Sequence, residues 1–166
     1  MSQVTPQIWI GGFLSARNGR WLQDRGVTHI VNASKELPDY FPQNFKYLRL
    51  DLNDSSDQDL TKALSNSYRF MKKAIDEGGV VFVHCFAGIS RSSSQIIHYL
   101  MMDRVMSFER ALDYVSRKHP RTNPNDGFRN QLLLKDPTKR SRFTAYGSRY
   151  DRSYPVIHQG SWWSPW

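Results

Sequence analysis

A single cysteine stands in a segment whose residue types and spacing suit nucleophilic chemistry on an anion. Cys85 is the only cysteine among 166 residues, and it closely follows the apolar run Val-Val-Phe-Val at 80–83. Within the segment 84–92, Gly88 and Arg91 come three and six positions after the cysteine. A strand followed by a turn and a helix would place the thiol inside a ring of backbone N–H groups. The segment therefore predicts an anion cradle that holds a nucleophile.

The chemistry of this segment depends on the thiolate, which is the reactive form of a cysteine. The loop amides, the positive end of the following helix and the charge of Arg91 would all favour it. Arg91 can grip two phosphate oxygens in one fork, which a lysine cannot do. Gly88 lets the backbone approach the ligand, and Ser92 is placed to donate a hydroxyl hydrogen bond to the sulfur. A lone cysteine after a strand is otherwise a small buried apolar residue, but the glycine and arginine at these offsets favour the reactive interpretation.

A phosphoester split at this cysteine needs a proton for its leaving oxygen, so an acid is expected across the cleft. The candidates are the aspartates of the stretch 51–59. Asp57 suits a helix N-cap, and Asp59 suits the first turn of the helix that follows. Asp51 suits a solvated position on a strand, and Asp54 falls on the loop between strand and helix.

Strand patterns alternate with helix patterns along the chain, which predicts an α/β fold. We expect a central, mostly parallel, twisted sheet flanked by helices on both faces. The site would lie at the carboxyl end of the strand 80–83, where such sheets usually bind ligands. The predicted strands are 8–10, 29–32, 47–52 and 80–83, and the predicted helices are 16–24, 60–75, 90–103, one that Ser107 caps and that ends before Pro120, and 126–134.

The order His-Cys-x-x-Gly-x-x-Arg-Ser at 84–92 resembles the signature of the cysteine-dependent protein tyrosine phosphatases. The form Ala-Gly-Ile-Ser-Arg-Ser at 87–92 is similar to that of their dual-specificity branch. The similarity extends upstream to 6–12 and 26–32, and downstream to Pro-Asn-Asp-Gly-Phe at 124–128. It covers roughly residues 4 to 134 and implies a protein tyrosine phosphatase-like fold of the dual-specificity type.

The resemblance also implies roles for individual residues. Asp54 matches the family's general acid, with Asp57 and Asp51 as alternatives. His84 would hold the loop and tune the thiol, although a histidine at a strand end is otherwise structural. Asn125 matches an asparagine that braces the phosphate loop, and a capping or turn role is an equal alternative. The expected catalytic residues are Cys85, Arg91, Asp54 and Ser92, and the expected substrate-binding residues are Phe86, Ala87, Gly88, Ile89, Ser90 and Arg91.

The neutral side chains of this loop favour a phosphoprotein substrate, read as phosphotyrosine together with phosphoserine or phosphothreonine. Related phosphoinositide phosphatases place lysines here to meet extra phosphates. An RNA 5′-triphosphatase and a non-catalytic phosphoprotein-binding module are the other interpretations, and the presence of Cys85, Arg91 and a nearby acid disfavours the module. The reaction would pass through a phosphocysteine and would need neither metal nor cofactor.

Length and composition fit one domain with a core, since 39% of the 166 residues are hydrophobic. No apolar run approaches the length of a membrane span, and the first residues lack the pattern of a secretory signal. One unpaired cysteine fits a reducing compartment, so we expect a cytoplasmic or nuclear location. With one cysteine and no spaced histidine cluster, no metal site is expected.

The sequence divides into a predicted catalytic domain, 1–134, and a C-terminal extension, 135–166. The formal net charge is +8, and the extension holds six basic and two acidic residues, which is half of that excess. It also holds seven aromatic residues. Three interpretations stay open: a solvated tail, a segment packed on the domain, and an interaction segment for a protein or nucleic-acid partner.

Overall fold

The computed structural model describes residues 1–139, which form a five-stranded sheet with helices packed on it. The strands are β1 (Ser2–Thr5), β2 (Ile8–Gly11), β3 (His29–Asn32), β4 (Lys46–Arg49) and β5 (Val81–His84), and the helices are α1 (Phe13–Ala16), α2 (Gly19–Asp24), α3 (Thr61–Asp76), α4 (Arg91–Asp103), α5 (Phe108–Lys118) and α6 (Asp126–Leu134). The strand order is β1-β2-β5-β3-β4. β1 runs antiparallel to β2, and the other neighbours are parallel. The predicted fold class is confirmed.

Helices cover both faces of the sheet because the central strand is apolar on both sides. In β5, Val81 and Val83 pack with side chains of α3 and α4, whereas Phe82 packs with Ala16 and Leu22 of α1 and α2. Successive side chains of a strand point to opposite faces, so one continuous apolar run supplies two cores. The helices α5 and α6 complete the larger core around α4.

Two predicted elements differ from those in the structure by more than one residue at an end. The expected helix 16–24 is two short helices, because the side chain of Asn18 accepts from Trp21 N and starts α2 afresh. The strand expected at 47–52 stops at Arg49, since Asp51 has a φ of 48° and turns the chain out of the extended conformation. The strand β1 was not predicted, because four residues carry too little pattern for a sequence-based assignment.

The helix after the aspartate-rich loop begins later than expected. Leu60 is the N-cap residue of α3, and it makes no side-chain cap. The expectations of Asp57 as the N-cap and of Asp59 in the first turn are therefore wrong. Asp59 instead lies just outside the helix, where its Oδ1 accepts from Thr61 N at 2.8 Å.

The parallel strands β2, β5, β3 and β4 end along one edge of the sheet, so the loops that follow them meet there. These loops begin at Gly12, Cys85, Ala33 and Leu50. Among the described residues, no helix combines the length and the apolar composition needed to cross a bilayer. The part of the extension from residue 140 onward lies outside the described residues.

Candidate active site

Cys85 lies at the floor of the loop that follows β5, with 1% of its surface exposed. Gly88 N donates to its Sγ at 3.3 Å, and Ser92 Oγ lies 3.2 Å from the same sulfur. If the sulfur is ionised it has no proton, so the serine hydroxyl must be the donor in that state. Two donors are thus already directed at the sulfur in the folded chain.

Several carbonyl groups of this loop are hydrogen-bonded to groups outside it, and the amide of Gly88 points inward to the sulfur. Four of its carbonyls accept hydrogen bonds from donors outside the segment 84–92. An inward ring of amides is the arrangement that binds anions. The four pairs are Phe13 N to Phe86 O (2.9 Å), His119 Nε2 to Gly88 O (2.7 Å), Asn123 N to Ile89 O (3.0 Å) and Ser94 N to Ser90 O (3.0 Å).

Glycine is required at position 88 for two reasons. Its φ is +70°, a conformation that side chains of L residues rarely adopt. A Cβ there would also lie 2.7 Å from the carbonyl carbon of Gly11, at the end of the neighbouring strand. The loop can therefore lie tightly against β2 only without a side chain at this position.

The guanidinium of Arg91 is buried, with 5% of the residue exposed, and one of its edges is occupied by a carboxylate. Its two terminal nitrogens donate to the Glu36 oxygens at 2.6 and 2.7 Å, and Nη1 also donates to Leu52 O at 3.0 Å. Nε finds no hydrogen-bond partner within residues 1–139. Because Nε and Nη2 share the other edge of the fork, that edge stays available for two oxygens of an anion.

Glu36 is the main site residue that the sequence analysis missed. It lies on the loop after β3, and the side chains of Asn32 and Arg49 donate hydrogen bonds to backbone carbonyls of that loop. Asn32 Nδ2 donates to Leu37 O at 3.0 Å, and Arg49 donates to Leu37 O and Lys35 O at 2.6 and 2.8 Å. The hydrogen bond from Arg91 lowers the pKa of the Glu36 carboxyl below its ordinary value, so the charged pair persists in mildly acidic solution.

The structure brings Asp54 next to Asn125, and Asn125 connects it to the phosphate loop. Asn125 Nδ2 donates to Asp54 Oδ1 at 2.9 Å, and Asn125 N donates to Ser90 Oγ at 3.0 Å. Its Oδ1 also accepts from Phe128 N at 3.0 Å and so caps α6. The side chain of Asn125 thus caps the helix, and the backbone N–H of the same residue contacts the phosphate loop. Asp54 is exposed and lies within electrostatic range of Arg91.

The other aspartates of this loop have different surroundings. Asp51 pairs with Arg49 at 2.7 Å, and Asp59 accepts from the first residue of α3. Asp57 is exposed. Asp54 is the aspartate among them that is hydrogen-bonded to a residue in contact with the phosphate loop.

The loop that carries Asp54, residues 53–60, is docked on α6. Gln131 accepts from Leu60 N at 2.7 Å through Oε1 and donates to Gln58 O at 2.8 Å through Nε2. Gly127 leaves the space for this approach, because a Cβ at that position would collide with the carbonyl group of Ser56. The position of the candidate acid is thus set by the last helix.

Two histidines support the loop as neutral groups. His84 stacks on Phe82, and burial lowers its pKa to about 4, so it brings no positive charge to the thiol at neutral pH. Burial also lowers the pKa of His119. Because Gly88 O can only accept, Nε2 of His119 carries the proton, and Ser2 Oγ donates to Nδ1 at 2.8 Å. His119 was not among the predicted site residues, and it lies 31 residues from its partner in the sequence.

The remaining loop residues line the rim and the walls of the site. Phe86 and Ala87 are exposed, Ile89 is partly buried, and Ser90 and Ser92 are buried. The part of the chain that the structure describes contains no group of three His, Cys, Asp or Glu side chains that could hold a metal ion.

The comparisons with known proteins agree with this geometry. The family model of the dual specificity phosphatase catalytic domain matches residues 8–137. The chain therefore belongs to this family, the dual-specificity branch of the protein tyrosine phosphatase superfamily. A MAP kinase phosphatase with leucine-rich repeats, protein 3, from Dictyostelium discoideum is 41% identical over 133 residues, which are 80% of this chain and 15% of that protein. Dual specificity protein phosphatase 1B from Arabidopsis thaliana is 34% identical over 80% of this chain and 79% of its own length.

Solved structures show the same fold. Human DUSP28 has a TM-score of 0.80 at 29% identity and covers 86% of this chain and 99% of its own. The human tyrosine phosphatase-like serine/threonine/tyrosine-interacting protein has a TM-score of 0.78 at 31% identity. The match covers 83% of this chain and 96% of that chain. The chain spans less than a fifth of the two first curated relatives, which are much longer proteins.

Proposed function

We propose that this chain hydrolyses phosphotyrosine and phosphoserine or phosphothreonine in proteins through a phosphocysteine intermediate. The observation that carries the proposal is the buried Arg91 fork. One edge is held by Glu36, the Nε on the other edge has no partner among residues 1–139, and the guanidinium lies within electrostatic range of Cys85. A buried unpaired donor costs free energy, and a phosphoryl group would satisfy it.

In the first step the Cys85 thiolate attacks phosphorus in line with the leaving oxygen. The S–P bond forms as the P–O bond breaks, and Arg91 and the loop amides stabilise the equatorial oxygens. Asp54, in its protonated form, gives its proton to the leaving oxygen. The products of this step are the dephosphorylated hydroxyl group and phosphocysteine.

In the second step water attacks the phosphocysteine. Asp54, now a carboxylate, takes a proton from that water, the S–P bond breaks, and inorganic phosphate leaves. Ser92 donates to the departing sulfur, over the contact of 3.2 Å that exists in the free protein. The thiolate is thereby restored, so two proton transfers through one carboxyl group close the cycle.

The loop's surface supports a phosphoprotein over a multiply phosphorylated small molecule. The exposed side chains beside the nucleophile are Phe86 and Ala87, and neither carries a charge. The loop itself therefore offers a second phosphate no cation beyond Arg91. The relatives from Dictyostelium discoideum and Arabidopsis thaliana are named as a MAP kinase phosphatase and a dual specificity protein phosphatase.

The test is hydrolysis of p-nitrophenyl phosphate by the purified chain, with Cys85→Ser as the comparison. We expect turnover by the wild type and none above background by the variant, because a serine hydroxyl is not ionised at neutral pH. Rapid acid quench should show wild-type protein heavier by one phosphoryl group. Equal activity of the two proteins would overturn the proposal.

We also propose that the protein works in a reducing compartment, the cytoplasm or the nucleus.

We further propose that the basic aromatic extension, 135–166, contacts a protein or nucleic-acid partner. Asp136 is buried, and its Oδ2 accepts from Phe108 N at 3.1 Å. A truncation that tests the extension should therefore end at Lys139 and keep this contact. Salt-dependent binding to RNA or to a partner that the 1–139 protein lacks would support the contact, and equal binding by both would refute it.

A further inference from the structure

Exposed apolar side chains gather beside the phosphate loop. Within residues 1–139, Leu14 is 71% exposed and Phe86 is 47% exposed, and both line a cavity of about 360 Å³. Phe13, Ala87 and Arg121 also line it. A concave apolar surface with few polar groups is typical of a binding site.

Phe13 and Phe86 form a rigid platform in the wall of this cavity. The rings of Phe13 and Phe86 are stacked with centroids 5.0 Å apart and an angle of 18° between their planes. Phe13 N donates to Phe86 O at 2.9 Å, so the backbone holds the two residues together as well. Because Phe86 directly follows Cys85, the same residue belongs to the platform and to the phosphate loop.

Arg121 is the charged side chain that lines this cavity. It is exposed, and no carboxylate forms an ion pair with it in the described part of the chain. A ligand that fills this cavity would therefore bury apolar surface and also gain from a negative charge near the guanidinium.

We infer that this cavity is a subsite of the substrate, which takes a large apolar side chain next to the phosphorylated residue and an acidic group beside it. The inference rests on the proposed function and specifies its substrate. The cavity is continuous with the phosphate loop through Phe86 and Ala87. An extended peptide advances about 3.3 Å per residue, so a neighbour of the phosphorylated residue reaches the cavity within one or two positions.

The test compares phosphotyrosine peptides that carry leucine or serine directly before or directly after the phosphotyrosine. We expect one leucine peptide to be favoured over its serine counterpart by about tenfold in kcat/KM, the scale of an apolar pocket contact. Leu14→Ala should reduce that preference to roughly threefold, since the pocket loses one wall. Arg121→Gln should lower a preference for glutamate over glutamine in the peptide, and added salt should do the same.

Leu134→Ala is the matched control, because Leu134 is a leucine with 79% exposure that does not line the cavity. It should keep both preferences.

Turnover of p-nitrophenyl phosphate by the wild type separates the two proposals: its absence defeats the proposed function. Its presence, with peptide preferences that Leu14→Ala leaves unchanged, defeats the subsite alone. A wild-type dimer that Leu14→Ala converts to a monomer, with unchanged preferences, would assign the face to a second copy and also overturn the subsite.

Discussion

The phosphate loop and the loop that carries Asp54 meet at one site, but the chain builds them in opposite ways. In the phosphate loop, Cys85, Arg91 and Ser92 are buried, and four carbonyl groups are bound from outside. In residues 53–60 the candidate acid is exposed, and the loop is hydrogen-bonded to Gln131 of α6 and to Asn125, the N-cap residue of that helix.

This difference matches the proposed tasks of the two loops. Groups that stabilise charge on phosphorus act best when they are fixed in advance, because no energy is then spent on turning dipoles during the reaction. A proton donor must instead exchange its proton with water once in every cycle, which an exposed carboxyl can do. Changes in the phosphate loop should therefore affect every substrate, whereas changes around Asp54 should depend on the leaving group.

The largest effect after loss of the nucleophile is expected for Arg91→Lys. Lysine keeps the charge but loses both edges of the fork, so Glu36 and the phosphate can no longer be held together. We expect kcat/KM to fall by about 10³ for every substrate. Steady-state kinetics on an aryl phosphate and on a phosphopeptide would measure this.

The matched control for that variant is Arg117→Lys. Arg117 is an exposed residue of α5 that pairs with Asp113 at 2.9 Å, so the same exchange there should leave the kinetics unchanged. If Arg91→Lys lowers kcat/KM for the aryl phosphate and for the phosphopeptide by factors that differ tenfold, the view that this loop acts on the phosphoryl group alone is contradicted.

Asp54→Ala should have the next largest effect, and it should depend on the substrate. We expect kcat for a phosphotyrosine peptide to fall by about 10², because tyrosine needs a proton as it leaves. For p-nitrophenyl phosphate the loss should be smaller, since nitrophenolate leaves more easily without one.

Asp57→Ala is the control for Asp54→Ala, because Asp57 is an exposed aspartate of the same loop. It should keep the wild-type kcat for both substrates. If the larger loss for the phosphotyrosine peptide is found in Asp57→Ala and is missing from Asp54→Ala, the assignment of the acid moves to Asp57.

Glu36→Gln tests how far the orientation of Arg91 matters. A glutamine can accept only one of the two hydrogen bonds that the carboxylate accepts, so Arg91 keeps its charge and loses part of its support. We expect kcat/KM to fall by about tenfold for all substrates, with the leaving-group dependence unchanged. Glu77→Gln, an exposed glutamate after α3, is the control, and a loss limited to poor leaving groups would argue against a role through Arg91.

The sequence predicts the phosphate loop well because its information is local. Cys85, Gly88 and Arg91 lie within seven residues, and the strand before them is recognisable from its apolar run. The strand His29–Asn32 and the helix Asp126–Leu134 were predicted with the bounds that the structure has. In each of these cases neighbouring residues supply the whole signal.

The partners of the loop could not be predicted in this way. Glu36 lies 55 residues from Arg91, and His119 lies 31 residues from Gly88, so only the folded sheet brings them together. A parallel sheet gathers the carboxyl ends of all its strands at one edge, and this rule points to the loop after β3 but not to a residue within it. The position of Glu36 next to Arg91 depends on Asn32 and Arg49, whose hydrogen bonds hold that loop in place.

The smallest effect is expected where the two loops are joined, at Gly127 of α6. An alanine there suits the helix, but its Cβ would collide with the Ser56 carbonyl group and push the loop 53–60 away from α6. We expect kcat for a phosphotyrosine peptide to fall by roughly three- to fivefold, and the phosphate affinity of the Arg91 site to stay the same. Asn130→Ala, at an exposed position of the same helix, should change neither value. Inhibition by inorganic phosphate measures the affinity, and a weaker affinity in Gly127→Ala would show that the two loops are coupled more tightly than their separate contacts imply.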